Sequence, residues 1–345
     1  MPTPGDPRRL QGLDALRGLA ILLVLLRHSW PDVFGNAGVV GVVVFFALSG
    51  YLITGLLVRD LRDYGRVRYR RFYRNRALRL LPALFLMLTG LVVVTLVWDP
   101  LDQRSGLVRA VVVGITYTAN LPFDHGSSAV DHLWTLATEE QFYIVWPLVL
   151  ALAVKFARVK TALTVSASLI VLALLATMAL SSDVAGIYAL PTSWCLAMVI
   201  GAAAFFVREQ LSAHFSPFIR LGHLSASGAL VLLGVVSLLP EDKGAPALYL
   251  LGGPAVAAAT VVLVLYTGAW TRLPTRALSP IRALGVVSYA AYLWNWPIAL
   301  WIGSMELGSV QPALVLSLTL LAATASWWLV ERPAMTWKSR LDRQR

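Results

Sequence analysis

Charge is what this sequence lacks most. Only 14% of its 345 residues are Asp, Glu, Lys or Arg, against 58% hydrophobic, whereas an average soluble domain carries about 25% charged residues. No charge falls between Thr161 and Ser182 or between Gly244 and Ala269. Each gap exceeds the ~20 apolar residues that cross a bilayer, and neither shows the polar face of a soluble core helix. A soluble fold is excluded, and an all-α integral membrane protein is expected.

Cysteine is nearly absent as well. Cys195 stands alone in an apolar stretch, which excludes an intramolecular disulfide and a thiolate metal cluster; it reads as a packed core residue. The five histidines (His28, His125, His132, His214, His223) include no i, i+4 pair and no zinc-type spacing, so no metal is expected. There is no tandem repeat, low-complexity tract or appended soluble domain. Residues 1–345 therefore read as one membrane domain, and nothing in them reports an oligomeric state.

The net charge of +11 does not indicate nucleic acid, because the basic residues flank apolar spans instead of lining a soluble surface. Arg8 and Arg9 before the apolar run from Leu13 imitate a signal peptide. The interruptions at Arg17, Arg27 and His28, with no small-residue cleavage site after them, favour a retained first helix. Apolar runs place about ten spans at 13–31, 37–58, 80–98, 133–154, 161–181, 187–207, 223–239, 246–269, 283–303 and 310–330. The stretch 107–121 is too short for a full crossing and contains Arg109. Treated as re-entrant, it leaves both termini cytoplasmic and puts all but four of the 29 Lys and Arg (Arg27, Arg104, Arg109 and Lys243) on the inner side. A multi-pass protein of the bacterial cytoplasmic membrane is expected. Trp30, Trp98, Trp134, Trp270 and Trp337 near span ends read as an interfacial belt.

Ionisable residues inside spans are costly and mark function by default. Arg17 and His28 are eleven residues apart, which at about 100° per residue returns to one face, with about 16 Å between them along the axis. The alternative is a snorkelling Arg17 and an interfacial His28. From Arg59 to Arg79 there are nine Arg, two Asp and no Lys. Arg binds phosphate bidentately, so this connector fits a phosphorylated ligand; attraction to lipid headgroups is the other reading. Glu139 and Glu140 lie one to two turns into an apolar segment, where a carboxylate can orient an imidazole or simply satisfy a helix dipole. Phe45, Phe46, Ser49, Gly50 and Tyr51 form a small-and-aromatic patch that also suits close helix packing. Asn295 lies between Trp294 and Trp296 before Pro297, which suits a bent, cavity-lining helix or an interfacial belt with a kink.

Together these pieces resemble membrane acyltransferase family 3. Arg17 and His28 match its R-x10-H pattern, Phe45 to Leu52 its FF-x-LSGYL signature, and Arg76 and Arg79 with Pro82 its R-x-x-R element. Trp134 to Tyr143 match WSL-x-x-E-x-x-FY, with Thr135 in place of Ser and Glu139 as the motif carboxylate. Glu331 to Pro333 match the terminal E-x-P. The resemblance covers residues 12 to 333. The esterase-like domain that some longer members add is not in this sequence, and functions that need it are not expected.

The resemblance implies an acyl-CoA donor, no permanently bound cofactor, and a hydroxyl-bearing acceptor such as a sugar or a macrolide-type natural product. Arg76, Arg79, Arg74 and Arg17 are expected to bind the donor's phosphates. His28 is expected to act as general base, oriented by Glu139, with Arg17 completing the catalytic set. Tyr51, Tyr143, Trp134 and Asn295 are expected to line the acceptor site. An acyl-imidazole intermediate would use the same residues. A transporter or flippase is the rival class, and the lack of duplicated halves argues against it.

Overall fold

A computed structural model describes residues 10–212 and 214–343; Arg8 and Arg9 lie outside them. The first helices are α1 (Gln11–Ser29), α2 (Ala37–Tyr64), α3 (Tyr69–Val97), α4 (Leu107–Thr116), α5 (Trp134–Lys155) and α6 (Val159–Leu180). Then come α7 (Pro191–Ser212), α8 (Arg220–Leu238), α9 (Gly253–Thr267), α10 (Ser279–Val286), α11 (Ser288–Gly303), α12 (Gln311–Ser326) and α13 (Arg332–Arg343). Short 3-10 and π turns join several of them, and the described residues contain no strand.

Helix α6 shows what solvent this fold needs. Leu174 is its one buried residue, and Leu169 and Leu172 are each 61% exposed. An apolar helix that faces outward all along its length is stable only against hydrocarbon. Its 22 residues rise about 33 Å, which matches the ~30 Å core of a bilayer. Among the described residues, eight helices are long and apolar enough to cross. The chain is a multi-pass integral membrane protein.

Helix α1 is not one of those eight, since its 19 residues include Asp14, Arg17 and Arg27. Protein shields these charges from lipid: α1 packs against α2, α9, α10, α11 and α12. It is the central rod of the bundle. Small residues allow the close approach; a Cβ on Gly18 would stand 1.8 Å from the Ile281 carbonyl oxygen of α10. One end of α1 meets the chain after α9, where Leu273 N–H donates to Gln11 Oε1 at 3.0 Å. Its other end meets the connection from α8 to α9 through Arg27 and Glu241, 3.0 Å apart.

Three differences from the expected spans matter. The Arg-rich connector is not a loop: α2 continues to Tyr64 and α3 begins at Tyr69, so the arginines of 59–79 lie mostly on helix ends. Arg is a good helix former, and Gly65, with φ 67°, supplies the left-handed cap that stops α2. The expected span 283–303 is divided, with α10 ending at Val286 and α11 starting at Ser288. The last span continues through a π turn into α13, to Arg343. The short stretch near 107–121 contains α4, whose ten residues rise only about 15 Å, half the bilayer core.

Candidate active site

The imidazole of His28 stands at the end of α1, half-buried. Its Nδ1 lies 2.5 Å from Asn295 Oδ1 of α11, and Asn295 Nδ2 donates to Thr319 Oγ1 of α12 at 3.2 Å. Asn295 and Thr319 are fully buried. Trp296 flanks the imidazole at 4.8 Å between ring centres, and its indole N–H donates to the Ser128 carbonyl at 2.8 Å. His132, just before α5, is buried nearby with Nε2 3.2 Å from the Leu293 carbonyl. Thr135 donates to the Tyr292 hydroxyl, which in turn donates to the His132 carbonyl, both at 2.6 Å. Four segments of the chain thus meet around His28. Over this end lies the connection between α8 and α9, where Glu241 pairs with Arg27 at 3.0 Å and Lys243 at 3.8 Å.

A second polar cluster gathers around Glu139 on α5, whose carboxylate accepts from Ser49 Oγ of α2 at 2.7 Å. Arg17 and Arg76 are the nearby cations whose fields reach it. Arg76 donates through Nε and Nη2 to Glu140 Oε1 at 3.2 and 2.8 Å, and its guanidinium lies 3.5 Å over the centre of the Tyr143 ring. Tyr73 donates to the Tyr143 carbonyl at 3.1 Å. Buried Glu331, which accepts from Ser326 Oγ at 3.3 Å, lies within the field of Arg79. Each arginine of the R-x-x-R element therefore has a carboxylate near it.

The family model described as an acyltransferase domain, that of acyltransferase family 3, matches residues 10–332. The chain belongs to this family. A Bacillus subtilis protein provisionally named a peptidoglycan O-acetyltransferase is 31% identical over 95% of this chain and 55% of its own length. An O-acetyltransferase of Staphylococcus aureus is 26% identical, over 95% of this chain and 57% of its own length. A peptidoglycan O-acetyltransferase of Listeria monocytogenes is 28% identical, over 93% and 55%. The chain spans about half the length of these curated relatives. No solved structure matches it.

The motifs of the family converge in space, though not always as the spacing suggested. Glu139 does not hold His28: its hydrogen bond goes to Ser49, and the partner of the imidazole is Asn295, expected to bind acceptor. The cause is depth, because Glu139 lies one to two turns past the start of α5 while His28 sits at the end of α1. Tyr51 does not join the site; its ring packs edge-on to Phe205 of α7 at 5.7 Å. Trp134 is in neither polar cluster but in an aromatic one, 5.3 Å from Tyr188 and 6.1 Å from Phe46. Tyr143 serves as the platform for Arg76. Arg76 itself is engaged by Glu140, so it offers a phosphate only the N–H groups that Glu140 leaves over. Arg74 reaches Asn75 Oδ1 at 3.1 Å. The expected alternative for Gly50, close packing, holds: a Cβ there would lie 1.9 Å from the Met198 carbonyl oxygen of α7. Thr135 keeps the hydroxyl of the usual Ser and uses it on Tyr292. Sequence reasoning missed Glu140 as the partner of Arg76, Thr319 behind Asn295, and Trp296 and His132 beside His28. Of these, only Glu140 and Trp296 adjoined residues already singled out. Among the described residues no group of three His, Cys, Asp or Glu is placed to hold a metal.

Proposed function

We propose that this chain is an O-acyltransferase that moves an acetyl or other short acyl group from acyl-CoA to a hydroxyl of a carbohydrate or glycosylated natural product, with His28 as general base. The observation that carries the reading is the half-buried imidazole at one end of the central helix, with Arg17 of that helix and the arginines of α3 toward the other. The donor's phosphates are taken up at the Arg-rich ends of α2 and α3, on the cytoplasmic side with both termini. Arg79, Arg74 and the uncommitted edge of Arg76 contribute there, with Arg17 further along. The acyl arm then follows α1 towards His28, about 16 Å beyond Arg17.

In the reaction the acceptor oxygen bonds to the thioester carbonyl carbon as His28 takes the hydroxyl proton. The carbon–sulfur bond then breaks, and the departing thiolate receives that proton from the imidazolium. A positioned base of this kind contributes about 10²–10⁴-fold. The peptidoglycan named in two relatives is a hydroxyl-bearing carbohydrate, which supports a sugar acceptor over a macrolide.

The test is CoA release, followed with a thiol reagent on purified protein given acetyl-CoA and peptidoglycan fragments or other glycans. Acceptor-dependent release that falls ~100-fold or more in His28→Ala, with donor binding retained, is expected. Unaltered turnover in that variant rejects the base assignment. Movement of donor or lipid without any thiol release would mark a transporter instead.

A further inference from the structure

The bond that His28 makes does more than connect helices. A carboxamide oxygen can only accept, so the ring nitrogen facing Asn295 Oδ1 at 2.5 Å carries the hydrogen. In a neutral imidazole the lone pair then resides on Nε2. Asn295 is itself held from behind by Thr319 Oγ1 at 3.2 Å, and both residues are fully buried on separate helices, α11 and α12. Trp296, fixed by the Ser128 carbonyl, closes one side of the ring. A buried carboxamide is costly in apolar surroundings unless bonded, and here its bonds run to an imidazole and a threonine.

We propose that Asn295, supported by Thr319, is the positioning residue that fixes His28 in its Nδ1–H form and leaves Nε2 free to take the acceptor's proton. The proposal rests on the reading of His28 as the base. It assigns Asn295 the role that spacing along the chain gave to Glu139, and it leaves Glu139 to Ser49 and the arginines. The charged and titratable groups around the ring are Arg27 on α1, Glu241 and Lys243 on the connection from α8 to α9, and His132 before α5. The hydrogen bond of the ring goes to none of them but to Asn295.

A residue that only bridges helices and one that sets a tautomer respond differently to substitution. In the full chain, Asn295→Leu keeps the volume and removes the acceptor; it is expected to lower kcat by roughly 10²-fold or more. The KM for acetyl-CoA and for the glycan should stay within about twofold, and thermal stability should be little changed. Asn295→Asp restores an oxygen to Nδ1–H, and its second oxygen accepts from the Thr319 hydroxyl, so kcat should return to within about tenfold of the parent. Thr319→Val leaves the first bond but frees the carboxamide to turn, with an intermediate loss expected. Asn295→Ala replaces the leucine variant should that one fail to fold.

Near-parental kcat in Asn295→Leu or Asn295→Ala overturns the proposal. So does an Asn295→Asp protein that is folded yet as inactive as the leucine variant, since the amide nitrogen would then have been the group facing the ring. His28→Ala is the control. If it too turns over normally, the function reading fails; if it is inactive while Asn295→Leu is active, only the positioning role falls.

Discussion

The pair Arg76–Glu140 can separate a donor-binding arginine from a structural one. Arg76 contacts Glu140 through two nitrogens, and their side chains are only 16% and 22% exposed. Replacing Arg76 with Met strands the carboxylate. Breaking a buried pair in this way costs about 3–5 kcal/mol, and the partial access of water to Glu140 puts the expected loss at the low end, about 3 kcal/mol. Loss of the guanidinium from the Tyr143 ring, 3.5 Å away, adds about 1 kcal/mol. The double variant Arg76→Met with Glu140→Met removes both charges, and such replacements are often close to neutral. Cys195, the single thiol, half-buried in α7, makes the assay simple: labelling by a thiol-reactive fluorophore during heating reports unfolding. The single variant should unfold well below the parent and the double should recover most of the difference. If Arg76 also binds phosphate, the double variant keeps a raised donor KM although its stability is restored. Full recovery of both quantities would make Arg76 purely structural. An Arg76→Met protein as stable as the parent would refute the pairing itself.

Two further predictions concern the scaffold. Gly50→Val forces α2 away from α7, because the added Cβ meets the Met198 carbonyl oxygen at 1.9 Å; a loss of about 1–3 kcal/mol is expected by the same labelling assay, and an unchanged midpoint would show that the helices are not in such close contact. Arg27→Gln breaks a pair with Glu241 whose side chains are 25% and 14% exposed, but Lys243 stays 3.8 Å from that carboxylate, so no charge is stranded and the loss should stay at about 1 kcal/mol or less. The nearby bond from Asn36 Nδ2 to the Pro240 carbonyl, 2.9 Å, still holds that connection. Unfolding of the bundle in this variant would mean that the ion pair alone secures it.

Much of the fold was legible because hydrophobicity in a membrane protein is a one-dimensional signal. The expected span 161–181 is α6 at Val159–Leu180, and 133–154 is α5 at Trp134–Lys155. Where lipid no longer dictates composition, that signal stops and helix propensity continues. This is why α2 and α3 extend into the Arg-rich segment and why α13 follows the last apolar run. Neither extension is an apolar run, and both are rich in Arg, a good helix former. The break between α10 and α11 was missed for the opposite reason, since the apolar run continues across Val287.

The candidate site divides along the same physical boundary. The shared face of Arg17 and His28 follows from the helical repeat, an intrinsic property of one segment. The partner of His28 follows from the depth and rotation at which another helix passes it, and no local repeat encodes that. Asn295 lies 267 positions away, and Thr319 carries no mark in the sequence to set it apart from other polar residues in spans. Glu139 was the reasonable choice by charge, because a carboxylate is the usual orienter of a catalytic imidazole. In a low-dielectric bundle, however, a carboxylate is most stable near cations, and Glu139 settles near Arg17 and Arg76. A neutral carboxamide can be buried beside the imidazole without a counter-charge, provided both its ends are bonded. Asn295 meets that condition through His28 and Thr319. The cost of burying charge thus separates the two polar clusters, leaving a neutral partner beside the proposed base and charged partners where the proposed phosphorylated donor would enter.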